Sequence, residues 1–305
     1  MDEVERNLLK TVCFFEIIGY APTFVELTMS VPVGANGVCP DPMSLGPIVY
    51  LQSLLQSGQL LEKNGRIAFP DAIDRLILQT EERDSLQARK RRRARWVALW
   101  LSRLSGIRFV ALANTTAWGH SRDFGDLDFF VIARQGAIWQ TRLLAVLPFK
   151  LLGWLPREPE RRDAVCLSYF VSDGGLDLAT HQISGGDPYF EQWFLSLVSL
   201  FDDGVGESLW NENIGICSTY PLARPWMVPP DLEIRKPRFR LPVFGWFEPV
   251  ARKIQEKWFP MRICSLMNKD TRVMVNDRVL KFHTDDGRAA YREQLETVCR
   301  QRGIV

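Results

Sequence analysis

Residues 109–133 constrain the fold of this chain more than any other stretch. Phe109-Val-Ala-Leu112 reads as an apolar strand, Ala113-Asn-Thr-Thr-Ala117 as a small-residue turn, and Asp126-Leu-Asp-Phe-Phe-Val-Ile-Ala133 as a second strand. Side chains alternate across a strand, so Asp126 and Asp128 share one face while Leu127 points to the other. Two adjacent carboxylates repel and resist burial unless a cation neutralises them. The run Phe129-Phe-Val-Ile132 commits the same strand to a core. An isolated Asp-x-Asp triplet is usually a solvated loop or a helix cap. Here it follows a strand and a small polar turn and opens an apolar strand, a conjunction that suits a cation site on the rim of a small sheet.

Asn114-Thr115 followed by Asp126-Leu127-Asp128 resembles the signature of the nucleotidyltransferase superfamily, the polymerase-beta-like fold. In that signature a Gly-Ser pair after a first strand precedes Asp-hydrophobic-Asp at the start of a second. Ala117-Trp118-Gly119 and Gly125 also fit it. The resemblance implies two magnesium ions on Asp126 and Asp128, which act as catalytic residues, and a nucleoside triphosphate as substrate. The triphosphate would lie against Asn114, Thr115 and Gly119, with Arg122 neutralising its charge, and its nucleoside monophosphate would pass to a hydroxyl acceptor. Asn114 departs from the pattern, because glycine there lets backbone approach phosphate. The third acid of the family is also displaced. Val165-Cys-Leu-Ser-Tyr-Phe-Val171 is its natural strand, yet Ser168 stands at the centre. Asp177 is taken as the substitute third catalytic carboxylate, with Asp173 a weaker choice. These departures keep an alternative open, a catalytically inactive nucleotide-binding or protein-interaction scaffold.

The 305 residues, 46% apolar and 24% charged, are those of a globular chain of more than one domain. A net charge of +2 gives no polyelectrolyte case for nucleic acid. The acidic start Met1-Asp-Glu-Val-Glu5 lacks a signal-peptide apolar region. The most apolar run, 143–155, is interrupted by Pro148, Lys150 and Gly153 and falls short of the ~20 residues that cross a bilayer. Cys13, Cys39, Cys166, Cys217, Cys264 and Cys299 form no C-x-x-C pair and read as reduced thiols of a cytoplasmic protein. His120, His181 and His283 have no metal-ligand spacing, which argues against a zinc site.

The expected fold is mixed α+β: a small nucleotidyltransferase-type sheet flanked by helices, an N-terminal winged-helix-like module and a largely helical C-terminal region. Residues 1–70 form the module, with a helix from Val4, a second capped by Thr23 and Glu26, a third from Leu45 to Gln56, and a hairpin turning at Asn64-Gly65. Four basic side chains (Arg6, Lys10, Lys63, Arg66) face seven acidic ones, and the third helix has no Lys or Arg. A module with so few phosphate contacts suits docking to a protein partner better than DNA. Residues 71–105 read as a long helix bearing Arg89-Lys-Arg-Arg-Arg-Ala-Arg95. Its charges wrap the helix, so some must face an anion, either an acidic surface or phosphate. RNA or DNA binding through this helix is a further alternative. The core spans 106–185, with a mostly buried helix from Gln140 to Leu152 whose Arg142 pairs or snorkels. Residues 186–305 hold a helix begun by Asp187-Pro188 and running through Trp193 and Leu200, an extended arm over 221–242 with six prolines, and an amphipathic helix from Phe247 to Met267. Leu280-Lys-Phe-His283 and the Asp285-x-x-Arg288 element are similar to bacterial proteins that join a winged-helix-like module to such a core. His283 itself reads as a packed or surface histidine rather than a ligand.

Overall fold

The computed structural model describes residues 1–33, 46–156, 161–226 and 230–304. Helix α1 (Glu3–Ile18) opens with a capping box on Asp2 and Glu5 and closes at Gly19, where φ is +77°. Helix α2 (Phe24–Met29) carries the expected capping box between Thr23 and Glu26. Helix α3 (Gly46–Gln56) follows; Leu45 and Cys39 lie outside the described residues. Strands β1 (Leu61–Lys63) and β2 (Arg66–Ala68) pair antiparallel about Asn64 and Gly65, both at positive φ as a tight hairpin turn requires. Leu8, Val12, Leu27, Leu51 and Ile67 fill the core of these elements.

Helix α4 (Ile73–Ser102) starts in that core with Ile73 and Leu76 and ends against the central sheet with Ala94, Val97 and Leu101. Its basic run meets an acidic surface of the same chain. Arg89 pairs with Asp123 at 2.6 Å and with Asp163 at 2.7 Å. Lys90, fully buried, pairs with Asp163 at 2.9 Å and donates to the Gly125 carbonyl at 2.7 Å. Arg91 reaches Asp231 at 3.4 Å, and Arg93 lies 3.5 Å over the Trp154 ring. Arg92 and Arg95 are exposed.

Strand β3 (Ile107–Leu112), helix α5 (Asn114–Ala117), strand β4 (Leu127–Ala133), helix α6 (Ile138–Leu151) and strand β5 (Val165–Ser172) come next. β3 and β4 are antiparallel, whereas β4 and β5 are parallel, with α6 making the crossover that parallel pairing requires. Helix α7 (Pro188–Leu195) begins as expected, with the Asp187 side chain accepting from the Phe190 amide, but it stops short of Leu200, which lies in a strand paired with β3. Then follow β6 (Val198–Asp202), α8 (Gly206–Glu212), α9 (Ile214–Cys217), α10 (Glu248–Trp258), α11 (Met261–Leu266), β7 (Val273–Val275), β8 (Val279–Phe282) and α12 (Arg288–Gln301). The sheet has six strands in the order β6-β3-β4-β5-β8-β7. The fold is thus mixed α+β, a sheet flanked by helices with a largely helical C-terminal region, and that region also lends β6, β7 and β8 to the sheet.

One expected helix is two. α10 and α11 are separated at Phe259-Pro260, and Phe259 is extended (φ −66°, ψ 128°) because a residue before proline is pushed out of the helical region. The segment 221–242 forms no helix among its described residues. It is tied down by Ile234 N–H to the Leu200 carbonyl and by Arg240, which donates to the carbonyls of Ser102, Leu104 and Ile107. At the end of the chain, Cys299 and Ile304 enter the core built by α1 to α3. There Arg302 pairs with Glu16 at 2.9 Å, and the Cys13 and Cys299 thiols are hydrogen-bonded. No described helix is long and apolar enough to cross a membrane.

The two faces of the sheet divide the remaining core. Val110, Leu112, Phe129, Val131, Phe170 and Leu280 pack toward α4 and α6. Phe109, Phe130, Ile132, Tyr169, Val171 and Val279 pack toward α7. Alternation along β4 therefore puts Asp128 on the same face as Phe130, at the end where α7 leaves the sheet partly uncovered.

Candidate active site

After β3 the backbone reverses through α5. Asn114 has φ +55°, in the left-handed region that glycine takes freely and asparagine tolerates best among the rest. Asparagine thus keeps the conformation expected of a glycine and adds a side chain. That side chain accepts from Tyr189 Oη at 3.3 Å and hydrogen-bonds the Asp128 carboxyl. Buried Thr116, which the motif did not include, fixes the loop by donating to the Asp126 carbonyl at 3.2 Å and accepting from Ser121 at 2.8 Å.

Asp128 faces Cys166 across the β4–β5 ladder. The ladder then shifts: Phe130 pairs with Tyr169, so β5 holds an extra residue in this interval. The bulge brings Ser168 into the cleft beside Cys166. The Cys166 thiol bonds Asp128 and lies 3.2 Å from Ser168 Oγ, which is 3.1 Å from His283 Nε2. A polar chain results, Asn114–Asp128–Cys166–Ser168–His283. Burial raises the Asp128 carboxyl above its ordinary range, against the hydrogen bonds of Asn114 and Cys166 and the charge of Lys90. Burial, and then the Asp128 charge, push the Cys166 thiol well up. Burial, with the Lys281 charge, lowers His283 to about 3, so its ring is neutral at neutral pH.

These groups line a cleft of about 830 Å³, within the ~300–1,000 Å³ typical of small-molecule sites. One wall is aromatic: Tyr189 stacks on Tyr291 at 4.9 Å, and Tyr169 on Trp193 at 5.4 Å. Arg142 donates to Gln255 at 2.7 Å and lies 4.3 Å over the Phe282 ring; burial lowers it to about 10. The far wall carries Lys281, Asp286 and Arg288, and Arg288 pairs with Asp286 at 2.6 Å and with Asp187 at 2.7 Å.

Of the residues singled out in the sequence, Asn114, Asp126 and Asp128 come together here. Thr115, Gly119, Arg122 and Asp177 do not line the cleft. The Thr115 carbonyl accepts from the His120 amide at 2.8 Å. Gly119, at φ +69°, gives its carbonyl to Gln87 of α4, and Arg122 is exposed. Asp177 accepts from the Ala179 amide at 2.9 Å, beyond the C-terminal end of β5. β5 runs parallel to β4, whose N-terminal end carries Asp126 and Asp128, so a strand length, roughly 20 Å, intervenes. Asp173 accepts from the Gln135 amide at 2.7 Å and faces Arg108. Among the described residues no three His, Cys, Asp or Glu side chains are grouped as a metal would need. Asp126 and Asp128 line the cleft with Ser168, and Asp177 does not join them.

Sequence reasoning assigned no role to Cys166, Ser168, Lys281, His283, Asp286 or Arg288, all of which the fold brings to the cleft. One signal was present: a lysine inside the apolar run Val279-Leu-Lys-Phe282 shares the face of Val279. No protein-family model, curated protein or solved structure matches the chain.

Proposed function

We propose that the cleft binds a nucleoside triphosphate and that the protein transfers its nucleoside monophosphate to a hydroxyl acceptor. The observation that carries this reading is the meeting of Asp126, Asp128 and the left-handed Asn114 turn at the mouth of an aromatic-walled cleft. Tyr189 and Tyr291 offer a stacking surface to a nucleobase. Asp126 and Asp128 would hold a magnesium ion, which on binding neutralises phosphate charge and activates the acceptor hydroxyl. Asn114 orients the Asp128 carboxyl. His283, neutral and bonded to Ser168, adds a ring nitrogen to the cleft, one that burial and the Lys281 charge keep a weak base. The test is pyrophosphate release from ATP, GTP, CTP and UTP with magnesium and a cell extract as the source of hydroxyl acceptors, by the wild type and by Asp126→Asn/Asp128→Asn. Release confined to the wild type supports transfer.

A second reading, a nucleotide-binding scaffold without catalysis, is favoured by one observation: Asp128 is already engaged by Asn114 and Cys166, with Ser168 in the third acid's place. Nucleotide binding without pyrophosphate release from any of the four would select it. The basic helix gives little support to nucleic-acid binding, since Arg89, Lys90, Arg91 and Arg93 have partners within the chain.

A further inference from the structure

We propose that Lys281 anchors an anion subsite on the β8 side of the cleft, one that takes a phosphate or carboxylate group of a ligand. That the same ligand reaches Asp126 and Asp128 rests on the nucleotide reading above; the subsite itself does not.

Lys281 pairs with Tyr169 across the β5–β8 ladder, so both stand on the cleft face of the sheet. It is 1% exposed, and its Nζ lies 5.3 Å from the Tyr169 ring centroid. Among the described residues its ammonium has no hydrogen bond and no ion pair. A buried ammonium is costly unless paired. The carboxylates around it are already committed: Asp187 and Asp286 to Arg288, Asp270 to Arg272, and Asp285, also on the cleft, to Arg262. The other facing groups supply no negative charge. Burial lowers His181 to about 4 and His283 to about 3, leaving both neutral, and pushes the Tyr169 phenol up, leaving it protonated. Burial, then the Arg288 charge, lower Lys281 to about 7, against the pull of Asp286, Asp187 and Asp270. A ligand anion supplies the missing counter-charge. β8 is two strands from β4, about 10 Å at the spacing of a sheet. A ligand that spans both sites therefore carries its anionic group roughly 10 Å from the aspartates.

The test is calorimetric titration of the full chain with inorganic phosphate, tripolyphosphate and ATP with magnesium, using wild type, Lys281→Met, Lys281→Arg and Asp126→Asn/Asp128→Asn. At pH 8, in buffers of different ionisation enthalpy, anion binding to the wild type is expected to take up a fraction of a proton as the amine charges. Lys281→Met should lose that uptake and about tenfold or more in affinity, with Lys281→Arg retaining affinity. If Lys281 holds the phosphates of the nucleotide, tripolyphosphate and ATP weaken together. If it holds a separate anion, phosphate alone weakens and binds alongside ATP. ATP binding that depends on the aspartates but is indifferent to Lys281→Met, with no proton uptake from any probe, overturns the subsite and leaves the nucleotide reading standing. Lys281-dependent phosphate binding without ATP binding does the reverse. Thermal unfolding of each variant separates a lost subsite from a lost fold.

Discussion

Lys90 and Lys281 are both sealed from solvent, at 0 and 1% exposure, yet the protein treats them in opposite ways. Lys90 is locked between α4 and the loop before β4 by Asp163 and the Gly125 carbonyl. Lys281 sits in the middle of a strand with an aromatic ring below it and no counter-ion. The first charge is satisfied, and it fixes the helix to the loop that carries the aspartates. The second is unsatisfied, and it lines a cleft. Burial alone does not separate architecture from function; the state of the partner does.

Removing each ammonium is the sharpest way to break this contrast. Lys90→Met strands Asp163 with only Arg89 to hold it, and breaking a buried pair costs about 3 kcal/mol. A lowered midpoint in thermal or urea unfolding is expected; wild-type stability would place Lys90 outside the architecture. Lys281→Met removes a charge without a counter-ion and loses only its contact with the Tyr169 ring, so its stability should equal or exceed the wild type's by about 1 kcal/mol. A clear loss of stability there would mean that the two lysines do the same work.

The pH dependence sharpens the same point. The folded-state pKa of Lys281 is about 7, below its ordinary 10.5, so between these values the unfolded chain binds more protons. Wild-type stability from this group therefore rises with pH across that window. The advantage of Lys281→Met should be greatest below pH 7 and fade toward pH 10, as followed by unfolding at fixed salt. A smaller effect is expected at the turn. Asn114→Ala forces a Cβ residue without a local polar side chain into φ +55° and costs about 1 kcal/mol, whereas Asn114→Gly restores backbone freedom and should cost less. Equal losses would show that the hydrogen bonds of Asn114, not its backbone, govern the turn.

Much of this fold was legible where the signal was local. Thr23 with Glu26, Asn64-Gly65 and Asp187-Pro188 are short-range chemistry, and each makes the structure its pattern announces. The strand that opens at Asp126 was legible because alternation and a following apolar run act within a few residues. What stayed hidden depends on distant partners. β6, β7 and β8 are three to five residues long and are strands only because β3, β8 and β5 respectively offer them an edge. The fate of the basic run depended on Asp123, Asp163 and Asp231, far along the chain. In the cleft, the Asp126–Asp128 pair was visible. The link from Cys166 through Ser168 to His283 needed a bulge and a strand from the end of the chain.

The most direct measurement is a calorimetric titration of the wild type and of Asp126→Asn/Asp128→Asn with ATP, GTP, CTP and UTP, with and without magnesium. Magnesium-dependent binding of at least one nucleotide, abolished in the double variant, is the expected result. Absence of binding by the wild type under every condition would contradict the nucleotide cleft.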